Sequence, residues 1–160
     1  MKKTLVSPEV QLRVEQLQTD YTNCIDDERY AEWPTLFAEN CLYKIISRDN
    51  HRKKMPFGFL YCDNRRMLRD RIASMANANV FEPHCYRHIL SRSEVSHADG
   101  VLVAKTGYIV FRIMHDGSHA LFSTGTYLDQ IIEVEGVFVF KERVVVTDSS
   151  SIDALLVIPL

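Results

Sequence analysis

The sequence has no long apolar run. None of its hydrophobic stretches approaches the roughly 18 residues that a membrane-spanning helix needs. It carries no excess of either charge: the formal net charge is −2, which argues against a dedicated nucleic-acid binder. Glycine and proline are scarce, at 6 and 5 residues. The glycines are scattered and fall mostly at turns, so there is no Gly-rich loop to cradle a phosphate. There is no internal repeat, linker or low-complexity segment. The cysteines, Cys24, Cys41, Cys62 and Cys85, show no close spacing of the kind that marks a disulfide framework or a zinc site. They read as free thiols in a reducing compartment.

What remains is the composition of a soluble globular protein, 46% hydrophobic and 25% charged. The length of 160 residues fits one domain over 1–160. A chain of about that size buries roughly 70% of its unfolded surface, enough for a core without disulfides. The opening Met-Lys-Lys-Thr-Leu-Val starts like a signal peptide, but polar residues follow Val6. A cytoplasmic location is therefore expected.

Ser7-Pro8-Glu9 is a helix start: a hydroxyl cap, proline at the first helical position, and an acid at the positive end of the dipole. Val10, Val14, Leu17, Tyr21 and Cys24 follow at helical spacing. Asp26 and Asp27 are placed to cap a second, short helix carrying Trp33 and Phe37, which Pro34 limits to a turn or kinks. Cys41–Ser47 alternates as a first strand, residues 48–59 read as a loop, and Asp63 is expected to cap a third helix with Leu68, Arg71 and Ile72 on one side. The remainder is β-rich, with strands near 86–96, 101–115, 119–133 and 137–148. Asp99-Gly100, Asp116-Gly117 and Glu135-Gly136 stand at the junctions as hairpin signals. The stretch from Ile152 to Leu160 is apolar and is expected to dock on the sheet or on another chain. Helices followed by a meander of long strands make an α+β pattern. A sheet of this length should twist and curl around the helices as a cone.

The candidates for chemistry are incomplete. His84, Cys85 and His88 lie close together, and Cys85 to His88 is a Cys-x-x-His spacing. A Rieske iron–sulfur site needs two cysteines and two histidines, and no cysteine here has a histidine two residues later. On a strand, Cys85 and His88 would also face opposite ways. A non-haem iron triad needs two histidines and a carboxylate; His51, His97, His115 and His119 all fall near loops or turns. Asp26, Asp27 and Asp129 could act as a general base inside a cone, and the first two serve equally well as caps. Two basic groups stand out, one from Arg48 to Lys54 and one comprising Arg65, Arg66, Arg69 and Arg71. Each reads as a solvated face or as a docking surface for carboxylates. Trp33 fits a core role and also an interface anchor.

Taken in order, these segments resemble a known family. The run Asp26 to Tyr43 is similar to the N-terminal part of the small (β) subunits of aromatic-ring-hydroxylating Rieske dioxygenases. So are Asp63 with Leu68 and Arg71-Ile72, then Tyr86-Arg87-His88, then Glu142-Arg143-Val144. Phe111-Arg112-Ile113-Met114-His115 and Ile152-Asp153-Ala154-Leu155-Leu156 resemble the branch acting on aromatic carboxylates such as terephthalate and salicylate. The resemblance implies a cystatin-like (NTF2-like) cone and an α3β3 assembly with β–β trimer contacts. It places the Rieske [2Fe-2S] cluster and the mononuclear Fe(II) on the α subunit, fed with electrons from NADH through a reductase or ferredoxin. It implies no cofactor, metal ligand or catalytic residue on this chain, and no nucleic-acid or membrane partner. Trp33, Arg71, Arg87, His88, Leu155 and Leu156 are then the candidate interface residues. The alternatives are a stand-alone isomerase or dehydratase of the same fold, and a non-catalytic protein that binds a small ligand in the cone.

Overall fold

The computed structural model describes residues 4–77, 81–152 and 156–160. Strand β1 (Thr4–Leu5) leads into helix α1 (Pro8–Asp26). The Ser7 hydroxyl accepts from the Val10 N–H at 3.2 Å, satisfying one of the free donors of the first turn. The buried side of α1 carries Val14, Leu17, Tyr21, Cys24 and Ile25, the stripe expected from the spacing. The chain then turns through Glu28, whose φ is 59°, into a 3-10 helix at Tyr30–Leu36 that contains Pro34. Asp26 and Asp27 do not cap it. Asp26 ends α1, and the residue before the 3-10 helix is Arg29, which makes no side-chain cap.

Strand β2 (Phe37–Ser47) begins four residues earlier than its alternation suggests. Between Phe37 and Leu42 it spends five residues against two on its partner strand, from Phe140 to Glu142. Such a bulge breaks the two-residue period that marks a strand in sequence. Residues 48–59 are not wholly loop. The Ser47 hydroxyl caps a short helix α2 (Arg48–Arg52). Gly58 packs against β2, where a Cβ would lie 2.1 Å from the Ile45 carbonyl oxygen. Strand β3 (Leu60–Cys62) and helix α3 (Arg65–Asn77) follow. The cap of α3 is the neighbour of the expected residue: Asn64 Oδ1 accepts from the Met67 N–H at 2.9 Å, while Asp63 accepts from the Asn64 amide.

The expected strand at 86–96 is two strands, β4 (His84–Leu90) and β5 (Glu94–Ala98). Both pair with β6 (Val101–Met114), one with each half. The break lies opposite Gly107, whose N–H donates to Ser91 Oγ at 2.8 Å and whose carbonyl accepts from the Ser91 N–H. Strands β7 (His119–Val134) and β8 (Val137–Thr147) complete the sheet. The turns fall at the Asp-Gly and Glu-Gly pairs; Asp99, Gly100, Glu135 and Gly136 all have positive φ, as hairpin turns of the primed types require.

The sheet order is β1-β5-β6-β7-β8-β2-β3, with β4 added beside β6. All pairings are antiparallel except that of β2 with β8. Bulges at Val110/Phe111 and Gln130/Ile131 increase the local twist. The curled sheet wraps α1, the 3-10 helix and α3, and one apolar core fills the concave side. Aromatic rings dominate it: Tyr21, Trp33, Phe37, Tyr43 and Phe140 meet edge to face or tilted at 5.0–6.3 Å. Tyr108 stacks on Tyr127 at 4.6 Å. This is the α+β cone expected from the sequence.

Candidate functional site

The cone interior holds a buried ion pair. Asp129 and Arg143 are direct partners across β7 and β8, and both side chains are fully buried. Arg143 Nε donates to Asp129 Oδ1 at 2.8 Å and Nη2 to Oδ2 at 2.7 Å, a bidentate geometry that guanidinium suits. Gln18 on α1 closes the group: its amide donates to Asp129 Oδ2 at 2.7 Å and its carbonyl accepts from Arg143. The guanidinium carbon sits 4.0–4.1 Å from the ring centroids of Tyr21, Tyr127 and Phe140. Burial works against the charge on Arg143, but the Asp129 carboxylate outweighs it and raises the pKa above the usual arginine value. Asp129 is thus held by three hydrogen bonds in a fully buried ion pair, out of reach of solvent.

A second carboxylate is held as firmly. Asp26, at the end of α1, accepts from the main-chain N–H of His88 at 2.8 Å, and its other oxygen meets His88 Nδ1 at 2.6 Å. His88 lies on the inner side of β4 and its side chain is fully buried. Among the described residues its Nε2 has no hydrogen-bond partner. Asp27 is exposed and pairs with Arg29 at 3.4 Å.

Segment 156–160 packs into the same core. Val157, Ile158 and Leu160 are buried. The Leu160 carbonyl accepts from the Tyr21 hydroxyl at 2.5 Å and from the Tyr43 hydroxyl at 2.9 Å, and the Leu160 N–H donates to Tyr43 at 3.1 Å. Burial raises the pKa of Tyr21 and, more strongly, of Tyr43, so both remain protonated donors. A cavity of about 630 Å³ lies between the 3-10 helix, α3, β4 and β6, lined by Tyr30, Ile72, Met75, His84 and Met114 among others, with Ile158 on its wall.

The half-motif Cys85-x-x-His88 does not assemble a ligand set. Cys85 pairs with Ile113 and His88 with Val110, positions of opposite parity on β4, and Asp26 occupies His88 Nδ1. Among the described residues no group of three or more His, Cys, Asp or Glu side chains is placed to hold a metal ion.

The candidate interface residues scatter. Trp33 is fully buried, with Phe37 and Tyr43 against its ring, and gives no surface to another chain. His88 is inside as well. Arg71 is half-buried and donates to the Leu156 carbonyl, so it serves this chain's own packing; Leu156 packs against the core. Leu155 lies outside the described residues. Arg87 is the exception, with its side chain 59% exposed on the outer side of β4. There it stands in a row with Phe111 and Leu121, next to a row holding Ile89 and Ile109. These four apolar residues are all exposed, and the sequence reading did not single out Ile89, Ile109 or Leu121. Their signal was the alternation itself, which places large apolar residues on both sides of β4 and β6. The Gln18–Asp129–Arg143 group also went unassembled, although Gln18 interrupts the apolar stripe of α1.

Residues 22–154 match the ring hydroxylating beta subunit family. The chain belongs to that family. It is therefore the beta subunit of an aromatic-ring-hydroxylating dioxygenase and part of an oxidoreductase complex. It is 34% identical over 151 residues to the terephthalate 1,2-dioxygenase terminal oxygenase component subunit beta 1 of a Comamonas species, covering 94% of this chain and 98% of that one. It is 33% identical over 145 residues to the anthranilate 1,2-dioxygenase small subunit of Burkholderia cepacia, covering 90% of each. Among solved structures, the beta subunit assigned to an aromatic-ring-hydroxylating dioxygenase of Novosphingobium aromaticivorans superposes with a TM-score of 0.86 at 32% identity, over 95% of this chain and 97% of that one. The family that the sequence resembles is thus the family to which it belongs, and the cone is its fold. In this ring-hydroxylating beta subunit the concave side of the sheet carries the apolar core, which includes Ile158 and Leu160.

Proposed function

We propose that this beta subunit serves a dioxygenase acting on an aromatic carboxylate, and that its part is to support and orient an α subunit that performs the chemistry. The observation that carries this reading is the state of its carboxylates. Asp129 is paired with Arg143 and Gln18, and both oxygens of Asp26 bond to His88. Neither is left facing an open cavity as a general base requires. The Rieske cluster that the family implies does not fit Cys85 and His88, which face opposite sides of β4, and the mononuclear iron finds no group of three His, Cys, Asp or Glu side chains among the described residues. We assign both groups to the α chain. The carboxylate substrate class comes from the relatives that act on terephthalate and anthranilate. The assembly is α3β3, with closed symmetry among like chains, supplied with electrons from NADH through a reductase or ferredoxin, and cytoplasmic.

Subunit contact falls on the outer side of the sheet around Arg87, Phe111 and Leu121, since contiguous exposed apolar surface is characteristic of interaction sites. The whole chain acts as one domain. A second reading, base catalysis by His88, is favoured by the buried, unpartnered Nε2. Oxygen uptake with terephthalate separates the two. The chain is produced together with its α subunit, and activity is normalised to iron and to assembled complex. A scaffold predicts that His88→Ala leaves normalised turnover within a few-fold. A catalytic base predicts a loss on the order of 10²–10⁴-fold.

A further inference from the structure

We propose that the cone interior is a binding site for an extended apolar peptide segment, and that residues 156–160 occupy it in cis as a separable ligand. Segment 156–160 forms no strand and joins no sheet ladder. It is held by side chains that read its main chain. The Arg71 guanidinium donates to the Leu156 carbonyl at one end. At the other, Tyr21 and Tyr43 donate to the Leu160 carbonyl and Tyr43 accepts from its N–H. Val157, Ile158 and Leu160 are buried between those clamps. Polar clamps at the ends and apolar side chains between are how a groove binds a peptide.

Two further observations point the same way. Around the Leu160 end, Trp33 Nε1, Tyr127 Oη and Arg143 Nη1 are buried without hydrogen-bond partners among the described residues. The Trp33 ring is 5.0 Å from Tyr43, the Tyr127 ring 5.8 Å from Tyr21, and the Arg143 guanidinium 4.1 Å from Tyr21. Buried polar atoms without partners are uncommon in native cores. There is also a way in. Ile158 forms part of the wall of the 630 Å³ cavity, two residues from the Leu160 end that the tyrosines hold.

The test keeps the folded chain intact. A protease recognition sequence is inserted between Ser150 and Ser151, where both residues are exposed, and the purified protein is cut after folding. A fluorescent synthetic peptide of residues 151–160 is then added in excess, and its entry and release are followed by anisotropy. The expected result is saturable exchange into a protein whose circular dichroism is unchanged. Tyr43→Phe, which removes the two hydrogen bonds between Tyr43 and Leu160 and leaves that of Tyr21, should speed release roughly tenfold. If Tyr43→Phe does not fold, Arg71→Gln tests the other clamp with the same expectation of faster release. Loss of structure on cutting would overturn the proposal, as would a fragment that never exchanges. Exchange at a rate that neither variant alters would overturn it too. In each case the segment would be ordinary core.

Discussion

Asp26 holds His88 twice, through the main-chain N–H at 2.8 Å and through Nδ1 at 2.6 Å. The pair ties the end of α1 to the inner side of β4, 62 residues later in the chain. The carboxylate is nearly buried, so neither His88 donor can turn to water if it is removed. Asp26→Ala should therefore cost about 2–4 kcal/mol, the desolvation of two stranded donors. Asp26→Asn keeps one acceptor oxygen and should cost about half as much. Urea unfolding of the two variants beside the parent measures both. Equal midpoints for all three would show that the pair contributes nothing to the fold. The contact of Arg87 to Asp26, at 3.8 Å with the arginine largely exposed, should add little.

The ion pair of Asp129 and Arg143 gives a sharper contrast. Asp129→Asn leaves a buried guanidinium without its counter-charge and should destabilise by about 3–5 kcal/mol. The double variant Asp129→Leu, Arg143→Met removes both charges and should be milder than Asp129→Asn alone. Thermal denaturation followed by circular dichroism ranks the variants; a double variant worse than the single would show that the rings of Tyr21, Tyr127 and Phe140 require the cation.

These two groups also mark how far the sequence could be read. The helix start at Ser7-Pro8, the hairpin turns at Asp99-Gly100 and Glu135-Gly136, and the alternation of β6 and β8 are local signals, and each is present where its chemistry predicts. The bulge after Phe37 and the break at Ser91 escaped, because both depend on a partner strand that the local pattern does not contain. The destinations of the polar residues escaped for the same reason. Asp26 looks like a cap until β4 is placed beside it, and Asp129 looks like a base until Arg143 stands opposite.

Two glycines should respond differently to alanine. A Cβ on Gly125 would lie 2.1 Å from the Val146 carbonyl oxygen and 2.9 Å from the Tyr108 ring. The first neighbour is backbone and the second is stacked on Tyr127, so neither can yield cheaply. Gly125→Ala should fail to give soluble protein or lose more than about 3 kcal/mol, at the upper end for overpacking. A Cβ on Gly107 would meet the Ser91 side chain at 3.2 Å, which can rotate, so Gly107→Ala should cost about 1 kcal/mol. Soluble yield and urea midpoints compare them directly; a Gly125→Ala protein as stable as Gly107→Ala would contradict the close approach.

The buried thiols set an alkaline limit. Burial pushes Cys24 up to about 12 and Cys41 up to about 11. In the unfolded chain both titrate near the ordinary value of about 8.5. The folded state therefore keeps protons that the unfolded state has lost. Their stabilising contribution is complete below about pH 8 and declines as pH rises through 9 and 10 toward the folded values. Buried tyrosines such as Tyr43, raised in the same direction, extend the decline. Urea midpoints at pH 7.5, 9 and 10.5 should fall in that order. A midpoint constant across the series would mean that the thiols are not protected as the fold implies.

The last prediction concerns the outer side of the sheet. Leu121 is 59% exposed and Ile89 54% exposed; Leu121 lies in the row of Arg87 and Phe111, and Ile89 in the row beside it. Leaving such a surface in water is unfavourable by about 25 cal/mol for each Å² of apolar area, and covering it is a standard way for subunits to associate. Leu121→Asp changes no core contact, because the side chain already faces solvent, so the fold should lose less than about 1 kcal/mol. A charge at the centre of an apolar contact should nevertheless disrupt the assembly. Size-exclusion chromatography with light scattering, performed on the chain produced together with its α subunit, should show the parent in a large complex and the variant dissociated. Arg87→Ala should weaken the complex by a smaller amount, since it removes a rim contact and a long side chain that covers its neighbours. A fully assembled, active complex from Leu121→Asp would mean that the subunits meet elsewhere, and that the exposed rows on β4, β6 and β7 stay wet in the enzyme.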